Sequence, residues 1–579
     1  MTISTSPLTG ETEIVGAVQI GEAWSLIEEF SSLVRGSGTE QEREAVRRIT
    51  NRLDAWKVPY RLYEPELLIS LPGRASLTVG DRTFKAKTPS MAKSTPASGS
   101  TAAIIYQPSA FATSVNDIFA AADLGGDVEG KIVITEGLPM PGKMADLESR
   151  GAVGVVCIAP GDRIHEGICT SIWGSPDLTS HPRKPNIPVV SVNNPDGKAL
   201  IELIRGGSST ATVVAEHEEL WRTIPVLVAE ITGTVEPDRF VLVHGHLDSW
   251  HVGIGDNATG DATLLEVARV LNEHKDRLAR TVRIAWWSGH SHGRYAGSTW
   301  FADTFANDLH RNCIAHINCD SPGCRDATVY EDVYWMAEAE AFAKHAVVDF
   351  TGVAPHGRSP IRAGDISFNN LGVSTFFMLS STMPADLREQ KDFYAVGGCG
   401  GNIEWHTEAD TMEIADRDNL LRDMRMYAGA AFRAANLPVH PLDFRATIDQ
   451  LVAVLEDHKA DVSEFVELEG TFQLAAQARQ ALDAFYARTE VVGTVEAARR
   501  LNTALLKIGR LLVSLLYSRE GTYRQDPALD VPLLPDFAAA LKARGTVVPG
   551  ILRTEFMRAR NRVDGVLLDV RDYAELASA

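Results

Sequence analysis

Imidazole and carboxylate side chains recur directly after apolar, strand-like segments of this 579-residue sequence. In an open α/β sheet, ligands collect beyond the carboxyl ends of the strands. Neutral imidazole and carboxylate are the usual protein ligands of Zn²⁺ and similar divalent ions. The pattern therefore predicts a divalent-metal site at one edge of a sheet. Four segments carry it: His246, Asp248 and Asp256 after FVLVHG; His290, Ser291 and His292 after VRIAWWSG; Asp320 after IAHINC; His406 and Asp410 in WHTEADT.

The elements around these segments predict an α/β architecture. From about residue 226 to 440, apolar strands alternate with helical segments, which favours a mostly parallel sheet sandwiched by helices. Residues 20–56 have helical spacing, with Ser37 or Thr39 as the N-cap of the second helix. Residues 61–225 contain short strands separated by Gly and Pro. Long amphipathic helices, predicted over 445–470, 471–490 and 495–517, indicate a C-terminal helical domain.

The amino-acid composition indicates which binding partners and which cellular location to expect. The formal net charge of −20 disfavours nucleic acid and anionic membranes, because both require clustered Lys and Arg. No apolar run approaches the roughly 18 residues of a membrane-spanning helix, and the N-terminal MTISTSPLTGETEIVG lacks the basic and apolar parts of a secretory signal. The six cysteines form no CxxC pair. We expect reduced, buried thiols in a cytoplasmic protein.

Several motifs resemble one enzyme family. GHLDSWHVGIGDNATGDA is similar to the first site motif of the co-catalytic zinc exopeptidases, in particular their glutamate carboxypeptidase and transferrin-receptor branch. The resemblance covers nearly the whole chain. Further matching segments are RIAWWSGHSHGRYAGSTW, INCDSPG, RAGDISFNNLGVSTFF and WHTEADT.

The resemblance implies roles for the strand-end residues. His246 and Asp320 would hold one metal ion, His406 would help to hold another, and Asp256 would bridge the two. Asp248 would orient His246 and fix its tautomer. The implied cofactor is a divalent metal, zinc or another transition metal, as one or two ions.

The resemblance also implies a domain plan. Residues 1–60 would form the N-terminal part of the catalytic domain, and 61–225 a protease-associated β-rich insert. Residues 226–440 would form the metallohydrolase domain. Residues 441–579 would form a helical dimerisation domain and thus a homodimer.

One position departs from the family pattern. The family places two adjacent glutamates in the turn after the second strand, the first as general base and the second as a metal ligand. Here the aligned pair is His290 and Ser291, followed by His292, and no carboxylate lies between Trp286 and Trp300.

Three interpretations of this turn are open. His290 could be the general base, since its unperturbed pKa of about 6.5 suits proton transfer near neutral pH. Alternatively, His290 or His292 could replace the missing carboxylate as a metal ligand, which could favour a metal other than zinc. Finally, one or both metal ions could be lost, because a neutral Ser291 is a poor ligand.

The sequence thus predicts a metal-dependent hydrolase that cleaves an amide or related C–N bond in a small molecule or short peptide. His290 or His292 would carry the proton to the leaving nitrogen. Arg294 and Arg362 are positioned either as clamps for a substrate carboxylate or as structural arginines. The alternatives are an inactive, receptor-like binding protein and a non-hydrolytic metal enzyme such as a lyase.

Overall fold

The structure is a computed structural model that describes residues 8–119, 124–377, 381–490 and 492–578. Residues 1–7 of the N-terminal segment discussed above lie outside the described residues. Fifteen strands are β1 Tyr60–Tyr63, β2 Glu66–Val79, β3 Arg82–Lys85, β4 Ser100–Tyr106, β5 Lys131–Glu136, β6 Gly154–Ile158, β7 Val189–Val192, β8 Thr210–Thr223, β9 Val226–Ile231, β10 Glu236–His246, β11 Arg280–Trp287, β12 Cys313–Asn318, β13 Val333–Tyr334, β14 Gly357–Arg358 and β15 Ser374–Phe377 within that part of the chain.

Eighteen α-helices accompany these strands in the same described ranges. They are α1 Glu11–Gly16, α2 Gly21–Phe30, α3 Glu40–Ala55, α4 Val115–Phe119, α5 Pro141–Ser149, α6 Asn194–Arg205, α7 Thr259–Glu273, α8 His290–Gly293, α9 Ala296–Thr304, α10 Ala306–Asn312, α11 Glu340–Thr351, α12 Ala385–Gln390, α13 Arg417–Asn436, α14 Phe444–Val462, α15 Glu469–Thr489, α16 Val495–Tyr517, α17 Pro535–Lys542 and α18 Pro549–Ser578. Thr39 caps α3 by accepting a hydrogen bond from the Glu42 N–H, so the second of the two predicted caps is used.

A six-stranded sheet in the order β1-β9-β11-β10-β12-β15 carries the predicted site segments. Strands β11, β10, β12 and β15 are parallel, whereas β9 runs antiparallel to β11 and to β1. The mostly parallel sheet predicted from the alternation of strands and helices is confirmed.

Both faces of this sheet are covered, as the side chains of β10 show. Val241 and Val243 pack into a core formed with α2, α3, α7 and α13. Phe240 and Leu242 point to the opposite face, where Phe301 of α9 covers them. Alternate residues of a strand face opposite sides, so an uninterrupted apolar run fits a strand buried on both faces.

A second sheet of seven strands, β3-β2-β8-β4-β5-β6-β7, is formed by the insert. Strands β4 to β7 are parallel, and β2, β3 and β8 pair antiparallel. The sheet spans β2 to β8, while β1 belongs to the six-stranded sheet. Residues 61–63 of the predicted insert are therefore part of the first sheet.

The C-terminal region is helical, with α14 to α18 packed around one apolar core. Helices α14, α15 and α16 confirm the three predicted helices, although α14 ends at Val462. Helix α18, 30 residues long, lies beyond the three helices predicted individually. All six cysteines are buried and free. Among the described residues, none of the helices combines the length with the apolarity needed to cross a membrane.

Candidate metal centre

Asp256 lies between two imidazoles at the carboxyl edge of the six-stranded sheet. Its Oδ1 is 2.8 Å from Nε2 of His246, the last residue of β10. Its Oδ2 is 3.0 Å from Nε2 of His406, which comes from a loop about 150 residues further along the chain. One carboxylate thus presents one oxygen to each of two histidines, as a carboxylate bridging two ions would.

The donor atoms fit a divalent cation. Nε2 of His246 is buried and has no hydrogen-bond partner among the described residues, although the Asp256 oxygen is close. The Asp256 oxygen and His246 Nε2 are thus close together without the alignment of a hydrogen bond, which is the arrangement of two ligands that bind the same ion. Burial lowers the pKa of His246, but the carboxylates of Asp256 and Asp320 outweigh burial and hold that pKa well above its usual value. The surroundings therefore stabilise positive charge at this position.

Asp320 and His290 complete the cluster around His246. Oδ1 of Asp320, which follows β12, is 3.8 Å from Nε2 of His246. One ligand-type atom from each of His246, His290 and Asp320 lies within 4.8 Å of the others. The ring of His290 stacks on that of His246 with centroids 3.8 Å apart. The structure thus brings together five sequence-predicted residues: His246, Asp256, His290, Asp320 and His406.

Asp365 fixes the orientation of His290. Its Oδ2 is 2.8 Å from Nδ1 of His290, and its Oδ1 accepts a hydrogen bond from the Ser298 hydroxyl at 2.6 Å. Because Nδ1 is occupied by the carboxylate, Nε2 of His290 is the nitrogen left for chemistry. Asp365 lies in the RAGDISFNN segment that carries the family resemblance, but the sequence gives it no partner.

Ser291 occupies the position of the second family glutamate. Its hydroxyl is buried and has no hydrogen-bond partner among the described residues. Ser291 lines a cleft that also contains Asp256, His290, Asp320 and His406. The carboxylate that the family places here has no replacement at residue 291 itself.

Asp248 holds the turn that contains His290 and Ser291. Its carboxylate accepts hydrogen bonds from the main-chain N–H groups of His290 at 3.0 Å and Ser291 at 2.8 Å, and from the Ser37 hydroxyl at 2.7 Å. The oxygen 2.8 Å from Nδ1 of His246 belongs to the main-chain carbonyl of Asp248. The tautomer of His246 is thus set by this carbonyl, while the carboxylate positions the neighbouring turn.

His292 points away from this cluster. Its Nδ1 lies 2.9 Å from the Ser37 hydroxyl and 3.3 Å from the Ser37 main-chain nitrogen. Its ring packs on Trp250 with centroids 4.2 Å apart. His292 is buried and is not among the residues that line the cleft. The two histidines of the turn therefore occupy different environments.

Two further side chains hold the loop between His246 and Asp256. Arg35 is fully buried and donates hydrogen bonds to the carbonyls of Leu247, Val252 and Gly253. Asp410 accepts hydrogen bonds from the main-chain N–H groups of residue 255 at 2.7 Å and Asp256 at 3.0 Å. Arg35 precedes the site by more than 200 residues, and no sequence signal reveals it.

The insert reaches the site through residues 165 and 166. Nδ1 of His406 lies 3.1 Å from the carbonyl of Glu166, and the Glu166 N–H donates to the carbonyl of His406 at 2.8 Å. His165 contacts the carbonyl of Trp405 through Nδ1 at 2.6 Å. His406 is therefore oriented by the insert rather than by its own domain.

These residues surround a cleft that opens to solvent. Its walls combine Asp256, His290, Asp320 and His406 with apolar residues from the insert and the main domain: Leu138, Met140, Ile168, Trp250, Ile361 and Trp405.

Comparison with known proteins identifies a matching family model and several relatives. Residues 227–430 match the model of peptidase family M28. A probable glutamate carboxypeptidase of Zea mays is 24% identical over 494 residues, covering 72% of this chain and 66% of the maize protein. The aminopeptidase NAALADL1 of Mus musculus is 36% identical over 127 residues, covering 21% of this chain and 17% of that protein.

A solved structure agrees at the level of fold. A zinc aminopeptidase from Bacillus subtilis superposes with a TM-score of 0.52 and 20% identity, over 72% of this chain and 95% of that one. The chain spans no more than 66% of either sequence relative's own length. Residues 227–430, which contain His246, Asp256, Asp320 and His406, are thus the part of the chain that is similar to peptidase family M28.

Proposed function

We propose that this protein is a metal-dependent hydrolase that cleaves an amide or related C–N bond in a small molecule or short peptide. The observation that carries the proposal is the Asp256 carboxylate, with one oxygen 2.8 Å from His246 and the other 3.0 Å from His406. The relatives named above, a probable carboxypeptidase and two aminopeptidases, are enzymes of the same class of C–N bond cleavage.

The residues that would hold the cation are His246, Asp256, Asp320 and His406. A divalent cation, when bound, polarises a scissile carbonyl and acidifies a water molecule. Zinc is the metal that we propose, since the Bacillus subtilis relative is a zinc enzyme. With Ser291 in place of a carboxylate, the donor set carries one less negative charge and is richer in nitrogen.

His290 would act through its Nε2 nitrogen, either as the group that transfers the proton or as a further metal ligand. An imidazole whose Nδ1 is held by a carboxylate can accept a proton and release it to a leaving nitrogen. The same carboxylate–imidazole arrangement also supports metal-bound histidines. Asp365 therefore decides which nitrogen acts, and the metal content of a His290 variant separates a base from a ligand. Since His292 lies outside the cleft, we assign it no proton transfer.

The remaining domains would serve the same reaction. Residues of the insert line the cleft, so we propose that this protease-associated-like domain contributes to substrate binding. We also propose that the C-terminal helices mediate a homodimer, as the transferrin-receptor-like resemblance implies. The cytoplasmic location expected from the free thiols stays a prediction.

Metal analysis combined with a product screen tests the proposal. We expect purified protein to contain at least one divalent ion per chain and to hydrolyse an amide in a manner abolished by chelation and restored by Zn²⁺. Reaction in ¹⁸O-labelled water should place the label in the carboxylic product. Turnover without label incorporation would identify a lyase instead, and protein that binds no metal would favour the receptor-like alternative.

A further inference from the structure

Arg294 is a buried arginine without a hydrogen-bonding or ionic partner for its guanidinium among the described residues. The residue lines the cleft and is 5% exposed. Its Nε is buried and unbonded, and its guanidinium has no hydrogen bond or ion pair with any described residue. A buried charge is costly unless it is paired. We therefore expect a negatively charged ligand to pair with the Arg294 guanidinium.

The other buried arginines show how unusual this is. Seven arginines are buried in the described part of the chain, and the other six all donate hydrogen bonds to carbonyls or carboxylates. Arg362, the second clamp candidate from the sequence, donates to the carbonyls of Asp526 and Pro527 and stacks on Trp173, so its role is structural. The remaining five with partners are Arg35, Arg269, Arg280, Arg433 and Arg510.

The backbone holds Arg294 in a strained position. Arg294 has a φ of +49° and Tyr295 a φ of +67°, both in the left-handed region that side chains rarely adopt. The N–H of Gly174, a residue of the insert, donates to the Arg294 carbonyl at 2.6 Å. Such strain persists only where the surroundings enforce it, and it clusters at ligand sites.

Arg294 stands close to the reacting groups. Its guanidinium carbon is 5.2 Å from the centroid of the Tyr295 ring, and that centroid is 4.7 Å from the centroid of His290. The same tyrosine ring therefore touches both the cation and the imidazole. The carboxylates that line the cleft have other neighbours: Asp256 contacts two histidines, Asp320 lies 3.8 Å from Nε2 of His246, and Glu166 pairs with Lys87 and His251.

We infer that Arg294 binds a carboxylate of the substrate, so that the substrate is a compact amide with an apolar body and a free carboxylate near the scissile bond. This inference rests on the proposed function. The guanidinium supplies a planar fork of N–H donors that matches a carboxylate. The apolar side chains of Leu138, Met140 and Ile168 would contact the rest of the molecule.

Binding of a matched pair of probes tests the inference without turnover. Calorimetry would compare 3-phenylpropanoate with its neutral isostere 3-phenylpropanamide, on chelator-treated protein so that a metal cannot bind the carboxylate. Wild type should prefer the carboxylate by roughly 10-fold or more, as expected for a charge-assisted hydrogen bond. Arg294→Met should remove this preference and Arg294→Lys should keep part of it. The control Arg163→Met, which removes an exposed charge, should leave the preference unchanged.

Thermal unfolding tests whether Arg294→Met changes the stability of the protein as well as its binding. Because the Arg294 guanidinium has no hydrogen bond or ion pair with a described residue to lose, and Met can still pack on the Tyr295 ring, Arg294→Met should unfold at the same temperature as wild type or higher. A marked loss of stability, or an unchanged carboxylate preference in Arg294→Met, would overturn the inference.

An activity comparison separates the inference from the proposed function. For Zn²⁺-loaded protein, kcat/KM for N-phenylacetylglycine should exceed that for N-phenylacetylglycinamide, and Arg294→Met should equalise them. Equal hydrolysis of both by wild type would overturn the inference and leave the hydrolase intact. Hydrolysis of neither, with the Arg294-dependent binding preference intact, would support the inference and count against the proposed function.

Discussion

Asp365 Oδ2 lies 2.8 Å from Nδ1 of His290, and this contact leaves Nε2 of His290 as the working nitrogen. Asp365→Asn should therefore lower kcat on the order of 10²-fold or more with little change in KM, as happens when an amide stabilises the wrong tautomer of a catalytic histidine. Steady-state kinetics at several pH values would measure the effect.

Ser298→Ala is the matched control, because it removes the other hydrogen bond to Asp365, at 2.6 Å, without changing charge. Its effect on kcat should be several-fold at most. An Asp365→Asn enzyme with wild-type kcat would show that the tautomer of His290 is irrelevant.

His290→Ala should abolish turnover, since a ring nitrogen of this residue lies within 4.8 Å of ligand-type atoms of His246 and Asp320. A loss of about 10²-fold or more is typical when a general base is removed. Metal content then assigns the role: retained ions identify a base, and released ions identify a ligand. Unchanged activity would contradict both roles.

His292→Ala should behave differently from its neighbour. Its ring packs between Trp250 and Ser37 outside the cleft, so the main cost should be stability, about 2 kcal/mol for a buried residue. Activity per folded molecule should stay within about tenfold of wild type, because a loss confined to packing leaves the reacting groups in place. A loss of activity as deep as that of His290→Ala would place His292 in the chemistry after all.

Acid should weaken the contact between the insert and the His406 loop. Burial lowers the pKa of His165 to about 4, below the value of about 6.5 expected in the unfolded chain. The neutral ring therefore stabilises the fold above about pH 6.5, and this contribution, at most about 3 kcal/mol, is lost as the pH falls towards 4.

His165→Asn keeps a donor for the Trp405 carbonyl but cannot be protonated. The loss of stability between pH 7 and pH 5, measured by urea unfolding, should be smaller in this variant. Parallel pH profiles for wild type and His165→Asn would contradict this account of the contact.

Much of the fold and part of the site follow from the sequence. The alternation of apolar strands and helices predicts the parallel sheet, and the residues after β10, β11 and β12 meet at one edge because parallel strands end on the same side. The orientation of side chains within a turn does not follow from the sequence in this way. His290 and His292 are two residues apart, yet one faces the cleft and the other faces Ser37.

Several residues that position the site are not visible in the sequence. Arg35 and Glu166 contact the site from segments remote in the chain, through main-chain carbonyls that any residue carries. Asp365 is one carboxylate among many until the fold places it beside His290. The sequence names Arg294 and Arg362 alike as clamp candidates, and only the structure distinguishes them, because Arg294 has no hydrogen bond or ion pair among the described residues whereas Arg362 donates to two carbonyls.

The cation site at Asp256 is tested most directly by metal stoichiometry. Elemental analysis of wild type and Asp256→Ala after dialysis against buffered Zn²⁺ would count the ions bound per chain. Since Asp256 touches both His246 and His406, its loss should weaken Zn²⁺ binding by more than about 100-fold, beyond the usual effect of an outer-shell residue. Wild-type stoichiometry and affinity in a folded Asp256→Ala protein would contradict the bridging role and, with it, the proposed chemistry.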